Sequence, residues 1–147
     1  MPTVKLRGHH FLCILCYRGE GYTAGFVKNF DGMVERINKG ATIEIVLGID
    51  DVCAALHQSG AMACEHAEVC RQESVNRRDK SALQDIANVL QKSMESGDTL
   101  ALMKNDINHL RQLFAQGAIR QACADCPWFE FCSQIAAEDF SGVRLFP

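Results

Sequence analysis

The sequence predicts one small α+β domain that is mainly helical and contains a short two-stranded element. A length of 147 residues suits a single modest core. Several stretches repeat apolar residues every three or four positions, as helices do, whereas only two short stretches have the character of strands. No internal repeat and no low-complexity linker divides the chain, so we treat residues 1–147 as one domain.

The first part of the chain predicts a strand followed by two helices. VKLRG, residues 4–8, has the character of a short strand that ends at Gly8. The next segment, HHFLCILCYR, is apolar at nearly every position, which favours a buried helix. Residues 23–39 place apolar side chains on one continuous helical face, and Gly40 provides a stop for that helix.

The segment ATIEIVLGI, residues 41–49, predicts the second strand. Its apolar residues alternate and many of them are β-branched, which suits a half-buried strand. If this strand pairs with the first one, the start of the chain comes to lie beside Asp50, Asp51 and Cys53.

The second half of the chain predicts further helices. Apolar periodicity indicates helices over about residues 68–92 and 106–116, with a turn at 96–98 between them. The ending, DFSGVRLFP, is apolar enough to dock against the core. Two strands alone are marginally stable, so these helices are expected to pack against the sheet.

The charge of the chain argues against a general nucleic-acid binder. The formal net charge is -3, whereas a nucleic-acid binder carries a basic excess. One basic cluster, Arg77, Arg78 and Lys80, is flanked by Glu73 and Asp79. Because both signs of charge are mixed there, we expect a solvated helix face.

Membrane and export signals are also missing from the pattern. The longest apolar run, FLCILCY, is far shorter than the roughly 20 residues that cross a bilayer. Two histidines precede this run and no small-residue cleavage site follows it, which argues against a signal peptide. We therefore expect a cytoplasmic protein with no membrane partner.

Eight cysteines are unusual in such a chain. They form three groups along the sequence: Cys13 and Cys16; Cys53, Cys64 and Cys70; and Cys123, Cys126 and Cys132. Reducing conditions disfavour disulfides in the cytoplasm, where clustered cysteines are more often metal ligands or redox thiols. The second and third groups are interpreted as two halves of one metal site, because four thiolates usually come from two chain segments.

The closing segment CADCPWFEFC carries the strongest single signal. Cys123 and Cys126 are separated by two residues, so both sulfurs can reach one metal, and Cys132 follows. The neighbouring aromatic residues can supply an apolar shell that keeps water away from a cluster. A dithiol redox motif has the same spacing, but it requires a thioredoxin-like strand and helix around it, and that pattern is absent.

The first cysteine group has a different character. Cys16 lies in an apolar run, where a thiol behaves as a small buried side chain. Cys13 lies four residues after His9 and three after His10, so a helix places all three on one face. These three residues therefore form a possible second site, either for a metal ion or for a Cys–His nucleophile pair.

Five segments together carry a family resemblance. They are LRGHHFLCIL, GYTAGFVKNF, IEIVLGIDDVC, Cys70 ahead of RRDKSAL, and CADCPWFEFC. In this order they resemble an uncharacterised family of small bacterial and archaeal proteins, a domain of unknown function suspected of binding an iron–sulfur cluster. LRGHH with Cys13, and DDVC, are the most specific parts. The resemblance implies a class of cofactor rather than a reaction.

The resemblance can be followed residue by residue. The matching positions are Leu6, Arg7, Gly8, His9, His10, Cys13, Asp51, Cys53, Cys70, Cys123, Cys126, Trp128 and Cys132. The family often has a second cysteine three residues after the one at Cys53, followed by proline, and this chain has Leu56 there. Which central cysteine completes a set of four is therefore left open.

The cysteine groups and the resemblance together imply a [4Fe–4S] cluster in electron transfer or sensing, with a redox or regulatory protein as partner. Its ligands are expected to be four of Cys53, Cys64, Cys70, Cys123, Cys126 and Cys132. A structural Zn²⁺ site is the alternative, because zinc also takes four thiolates. A third hypothesis is a small hydrolase that uses His9, His10 and Cys13 beside Asp50 and Asp51.

Overall fold

A computed structural model of the chain describes residues 3–19, 24–46, 50–51, 73–120 and 129–146, and these form helices around a small sheet. In chain order the elements are β1 (Val4–Leu6), α1 (His10–Cys16), α2 (Ala24–Asn38), β2 (Ile43–Ile45), α3 (Glu73–Leu90), β3 (Thr99–Leu100), α4 (Lys104–Ala115) and α5 (Phe129–Ala137). The mainly helical α+β class is confirmed.

The sheet has the strand order β1-β2-β3. β1 pairs with β2 in parallel, with Val4 opposite Ile43 and Leu6 opposite Ile45. Helices α1 and α2 make the crossover that a parallel pair requires. The predicted two-stranded element is therefore present. β3 adds an antiparallel neighbour to β2 that the sequence did not predict, because two residues are too few to show alternation.

Helix α1 lies at the centre of the core. It packs against α3, α4 and α5. Its side chains are buried nearly all round, as a helix that is apolar on every face requires. The buried residues are Phe11, Leu12, Ile14, Leu15 and Cys16. The predicted buried helix is confirmed.

Helix α2 covers the core with one face, as its periodicity predicts. The buried residues are Phe26, Phe30, Met33, Val34 and Ile37. Its end is set by Gly40, whose φ of 96° lies in the left-handed region that favours glycine. The Gly40 N–H donates to the Ile37 carbonyl at 2.9 Å, and the Ala41 N–H donates to the Arg36 carbonyl at 3.0 Å.

The later helices agree with the predicted ranges over the described residues, except for α5. Both ends of α4 and the C-terminal end of α3 lie within two residues of the predicted ends. The predicted start of α3 lies outside the described residues. α5 was not predicted, because its first residues belong to the motif CADCPWFEFC, which was interpreted as a ligand loop. The C-terminal segment docks as expected through Val143 and Leu145, both buried. None of the described helices is long and apolar enough to cross a membrane.

Arg111 fastens the C-terminal segment to α1. Its guanidinium group is buried and donates to the carbonyl groups of Leu15 at 3.1 Å, Leu145 at 2.6 Å and Phe146 at 3.1 Å. Burial lowers the pKa of Arg111. Among the described residues no carboxylate pairs with this side chain, which instead contacts carbonyl dipoles and the face of the Phe140 ring.

Gly8 lies at the closest approach between the start of α1 and α3. A Cβ atom built at Gly8 would overlap the backbone carbonyl group of Asp79. That carbonyl belongs to the middle of a helix, so it cannot rotate away. Only a residue without a side chain lets β1 and α3 come this close.

We therefore predict that Gly8→Ala destabilises the fold by about 1–3 kcal/mol, as overpacking of a core does. The matched control is Gly32→Ala, because Gly32 lies within α2 and a Cβ there meets nothing within 4 Å. This control should be stabilising by about 0.5–1 kcal/mol, because alanine is the better helix former. Free energies of unfolding from urea titrations check both values. Equal effects of the two substitutions would contradict the close approach at Gly8.

Candidate functional site

The parallel pairing of β1 and β2 brings two aspartates to the start of the chain, as the sequence predicts. Asp51 Oδ2 accepts the Lys5 N–H at 2.8 Å, and the Asp51 N–H donates to the Lys5 carbonyl at 3.1 Å. Asp50 Oδ2 accepts the Arg7 N–H at 2.8 Å. The proximity of both aspartates to β1 is confirmed, whereas Cys53, expected beside them, lies outside the described residues.

Asp79, on α3, joins this region to the helices. Its Oδ2 accepts hydrogen bonds from Nε and Nη2 of Arg7, each at 2.9 Å. Its Oδ1 accepts the backbone N–H of His9 at 3.0 Å and lies 2.6 Å from His9 Nδ1. The Arg7 and Asp79 side chains are both 0% exposed. The carboxylate is thus fully desolvated, and four donors compensate for the water that it has lost.

His10 repeats the arrangement beside His9. Its Nδ1 lies 2.7 Å from Asp50 Oδ2, and the two imidazole rings are 4.3 Å apart between centroids, with planes inclined at 56°. The His9 and His10 side chains are 15% and 13% exposed. We call Arg7, His9, His10, Asp50 and Asp79 the histidine cluster.

The environment of the histidine cluster determines the protonation state of His9. Burial lowers the pKa of His9 from its ordinary 6.5 to about 4, with His10 and Arg7 acting in the same direction. The hydrogen bond and charge of Asp79 oppose this shift but do not cancel it, because Arg7 already neutralises that carboxylate. Burial alone would raise the pKa of Asp79, yet the bonds from His9 and Arg7 outweigh it and lower the pKa.

It follows that near neutral pH Asp79 is ionised and the His9 ring is neutral. An ionised carboxylate only accepts hydrogen bonds, so the His9 proton is assigned to Nδ1. The lone pair of His9 is then on Nε2. Within the described part of the chain, both histidines make their side-chain hydrogen bonds through Nδ1, and neither Nε2 has a donor or acceptor partner there.

A second group of reactive side chains lies at the other end of α1. Cys16 is buried, and its Sγ donates to the Cys132 carbonyl at 3.8 Å, which joins α1 to α5. The interaction with the Cys132 thiol, together with burial, raises the pKa of Cys16, whereas the interaction with Cys16 and the nearby charge of Arg120 lower the pKa of Cys132. Cys13 lies near enough to add to the shift at Cys16. We call Cys13, Cys16 and Cys132 the thiol cluster.

Two arginines surround the thiol cluster. The charge of Arg120 favours the thiolate at Cys132, while the interaction with Cys16 partly opposes the lowering of the Arg111 pKa by burial. Arg120 Nη1 donates to Ser133 Oγ at 2.5 Å, and its guanidinium carbon lies 4.2 Å from the centroid of the Phe114 ring. A thiolate beside such cations is the form that binds metals and reacts as a nucleophile.

The structure combines cysteines that the sequence analysis kept apart. Cys16 was expected to be buried, and it is, but its contact with the closing motif was not foreseen. Cys132 is the only expected ligand in the described part of the chain. Those outside it are Cys53, Cys64, Cys70, Cys123 and Cys126. Within the described residues no group of three or more His, Cys, Asp or Glu side chains is arranged to hold a metal ion.

The possible second site at His9, His10 and Cys13 stays a prediction. The hydrogen-bond partners of the two imidazoles are Asp79 and Asp50. Cys13 follows one helical turn later, and its described electrostatic partner is Cys16.

Asp79 is the residue that the sequence analysis missed. The solvated helix face was predicted for its basic neighbours, and Arg77 and Lys80 are indeed exposed, whereas Asp79, named only as a flanking residue, is fully buried. A signal was present, because Asp79 stands four and seven residues before the apolar Leu83 and Ile86. This spacing places it on the buried face of α3, and a charge on such a face needs a buried partner.

The lowered pKa of His9 makes stability depend on pH. Between pH 4 and 6.5 the unfolded chain binds a proton at His9 that the folded chain does not, so acidification favours unfolding. We expect a loss of up to about 3 kcal/mol from His9 across this range, at about 1.4 kcal/mol per pH unit. His9→Gln should flatten the dependence, whereas His109→Gln, at an exposed position of α4, should not. Urea unfolding at several pH values measures it, and identical profiles for wild type and His9→Gln would contradict the assignment.

Comparison with known proteins identifies a family over most of the chain. Residues 21–132 match the model of the family described as "Protein of unknown function (DUF1284)". The match ends at Cys132, and the segment LRGHH with Cys13 and Cys16 precedes it. No curated protein and no solved structure matches the chain. Because the match covers more than half of the sequence, the chain belongs to the DUF1284 family.

Proposed function

We propose that the protein binds a [4Fe–4S] cluster at the thiol cluster and uses it in electron transfer or sensing with a redox or regulatory protein. The proposed ligands are Cys132, the pair Cys123 and Cys126 that precedes it in the sequence, and Cys16. Cys16 takes the place that the sequence analysis left open among the central cysteines. The observation that carries this proposal is the contact between Cys16 and Cys132 across α1 and α5.

The charge around the thiols supports an anionic cofactor. Four thiolates and a cluster, or four thiolates and one Zn²⁺, carry net negative charge that costs solvation energy when buried. Arg111 and Arg120 lie near the thiols, and Arg111 has no carboxylate partner among the described residues. A bound cluster would supply the negative charge that this buried guanidinium group lacks.

The surroundings also suit a redox cofactor. Phe114 is buried beneath the Arg120 guanidinium group, and Phe131 is half-buried one residue before Cys132. Apolar walls limit access of water to a cluster, and hydrogen bonds and nearby charges tune its reduction potential. When bound, the cluster supplies one-electron chemistry, while this chain's own residues set the solvent exclusion and the local positive charge.

Zinc is the second candidate, and one observation favours it. Cys16 Sγ lies 3.8 Å from the carbonyl oxygen of Cys132, so the two cysteines are neighbours across α1 and α5. Two thiolates on one tetrahedral Zn²⁺ are also close, about 3.8 Å apart for bonds of about 2.3 Å. A structural zinc ion would hold α1 and α5 together in the same place and would contribute directly to folding.

Anaerobic purification followed by metal and sulfide analysis tests the proposal. We expect a brown protein with broad visible absorption and about four iron and about four sulfide per chain. A colourless protein with stoichiometric zinc would overturn the iron–sulfur proposal in favour of the alternative. A protein free of both metals after anaerobic reconstitution would overturn both.

Serine substitutions test the proposed ligands. Cys16→Ser and Cys132→Ser should each abolish most of the metal content, because serine does not replace a thiolate. Cys64→Ser is the matched control and should keep the wild-type content, since Cys64 is not among the proposed ligands. If Cys16→Ser retains the cofactor while substitution of Cys53, Cys64 or Cys70 removes it, the fourth ligand is central and Cys16 is a buried neighbour.

A further inference from the structure

The histidine cluster has the design of a metal-binding site that is separate from the thiols. We propose that His9 and His10 bind one divalent first-row transition metal ion, of the borderline class that includes Zn²⁺, Co²⁺ and Ni²⁺, through their Nε2 atoms. Asp79 and Asp50 act as supporting carboxylates. This inference does not depend on the proposed function, because it uses none of the cysteines.

The hydrogen bonds of the two rings resemble those of metal-ligating histidines. Each imidazole gives its Nδ1 side to a buried carboxylate, at 2.6 Å from Asp79 and at 2.7 Å from Asp50. Metal-ligating histidines almost always donate one ring N–H to a carboxylate, carbonyl or water, which fixes the ring and strengthens the other nitrogen as a ligand. The two dyads present that arrangement twice, side by side.

The spacing of the two rings is similar to that of imidazoles on one metal ion. Two imidazoles that share one ion through Zn–N bonds of about 2.1 Å have centroids roughly 4.5 Å apart at a right angle and roughly 5 Å apart at the tetrahedral angle. The observed centroid distance is 4.3 Å, with planes inclined at 56°. The two rings are therefore about as close together as two imidazoles that share one ion.

The two carboxylates that support the rings, Asp79 and Asp50, are themselves held in place. Asp79 is held by Arg7, and Asp50 accepts the Arg7 backbone N–H, so one residue of the chain fixes both carboxylates. Those carboxylate side chains are 0% exposed, whereas the imidazoles are 15% and 13% exposed. The supporting carboxylates are thus buried and held in place, while the imidazoles remain accessible to an ion from solution. A preorganised metal site needs both properties.

The ion class follows from the donor atoms. Imidazole nitrogen suits zinc, nickel, cobalt, copper and iron, whereas magnesium and calcium prefer oxygen. Two nitrogens are the only ligands that the described residues offer, in line with their lack of any group of three. No other side chain of the described residues is assigned to the remaining coordination positions, which water or an oxygen of a substrate fills in metal sites that act as Lewis acids.

Histidine ¹⁵N NMR during a Zn²⁺ titration of the wild-type protein tests this site directly. Before zinc is added, the His9 ring should show a protonated Nδ1 and the shift of an unprotonated Nε2. Zinc should move the Nε2 resonances of His9 and His10 together, with one dissociation constant, and leave their Nδ1 protonated. The exposed His109 is the internal control and should not move over the same zinc range. Thiol-bound zinc does not change these nitrogen shifts, so failure of the iron–sulfur proposal remains distinguishable.

Two variants extend the test. His9→Gln with His10→Gln should lower the zinc stoichiometry by about one per chain relative to wild type and to His109→Gln, because one ion with two ligands is lost. Asp50→Asn keeps an oxygen that can accept the Arg7 N–H but loses the carboxylate charge, and should weaken zinc affinity about 10- to 100-fold, as loss of a supporting carboxylate does.

Two results would overturn the proposal. One is that the Nε2 shifts of His9 and His10 stay constant while zinc is bound elsewhere. The other is that all histidines, His109 included, respond at the same zinc concentration, which indicates binding without a built site. If the double substitution prevents folding, the wild-type titration decides by itself.

Discussion

The buried ion pair between Arg7 and Asp79 is the interaction on which the rest of the structure depends. Both side chains are fully buried, so neither charge can be left alone, and loss of one partner typically costs about 3–5 kcal/mol. The pair joins the end of β1 to the middle of α3, two segments separated by 72 positions in the sequence. Gly8 then lets the backbones approach, and His9 uses the second carboxylate oxygen. Because a displaced α3 would separate these two buried charges, the ion pair fixes the position of α3 against the sheet.

Helix α1 extends this constraint across the molecule. It is only seven residues long, about 10 Å, yet one end of it follows the histidine cluster and the other carries Cys16 against α5. It is buried on almost every side, so its rotation is set by the packing of three helices rather than by an exposed polar face. Both groups of reactive side chains are therefore positioned by the same core, and a change in the packing of α1 affects both.

The elements that could be predicted from the sequence are those that carry their own local pattern. Helix α2 shows one apolar face and ends at a glycine, so periodicity and Gly40 define it. The placement of Asp50 beside β1 was also predictable, because it follows from a single strand pairing. The contact of Cys16 with Cys132 was not, since a helix that is apolar all round gives no indication of which neighbour each side chain meets. Asp79 lay between these cases, because its spacing from Leu83 and Ile86 indicated burial while its basic neighbours suggested solvent.

The two ends of α1 differ in their described charges, and this difference bears on the two proposed sites. Among the described residues, the cations Arg111 and Arg120 lie near the thiol cluster, and positive charge favours thiolates and the anionic centres that thiolates form. In the histidine cluster the ionic side chains are Arg7, Asp79 and Asp50, one positive and two negative, so the described charges leave an excess of one negative charge beside two imidazoles. A soft anionic centre is stabilised at the first end and disfavoured at the second, while a divalent cation has the opposite preference. One short buried helix can therefore separate two kinds of inorganic chemistry, because the basic residues and the carboxylates approach it from opposite ends.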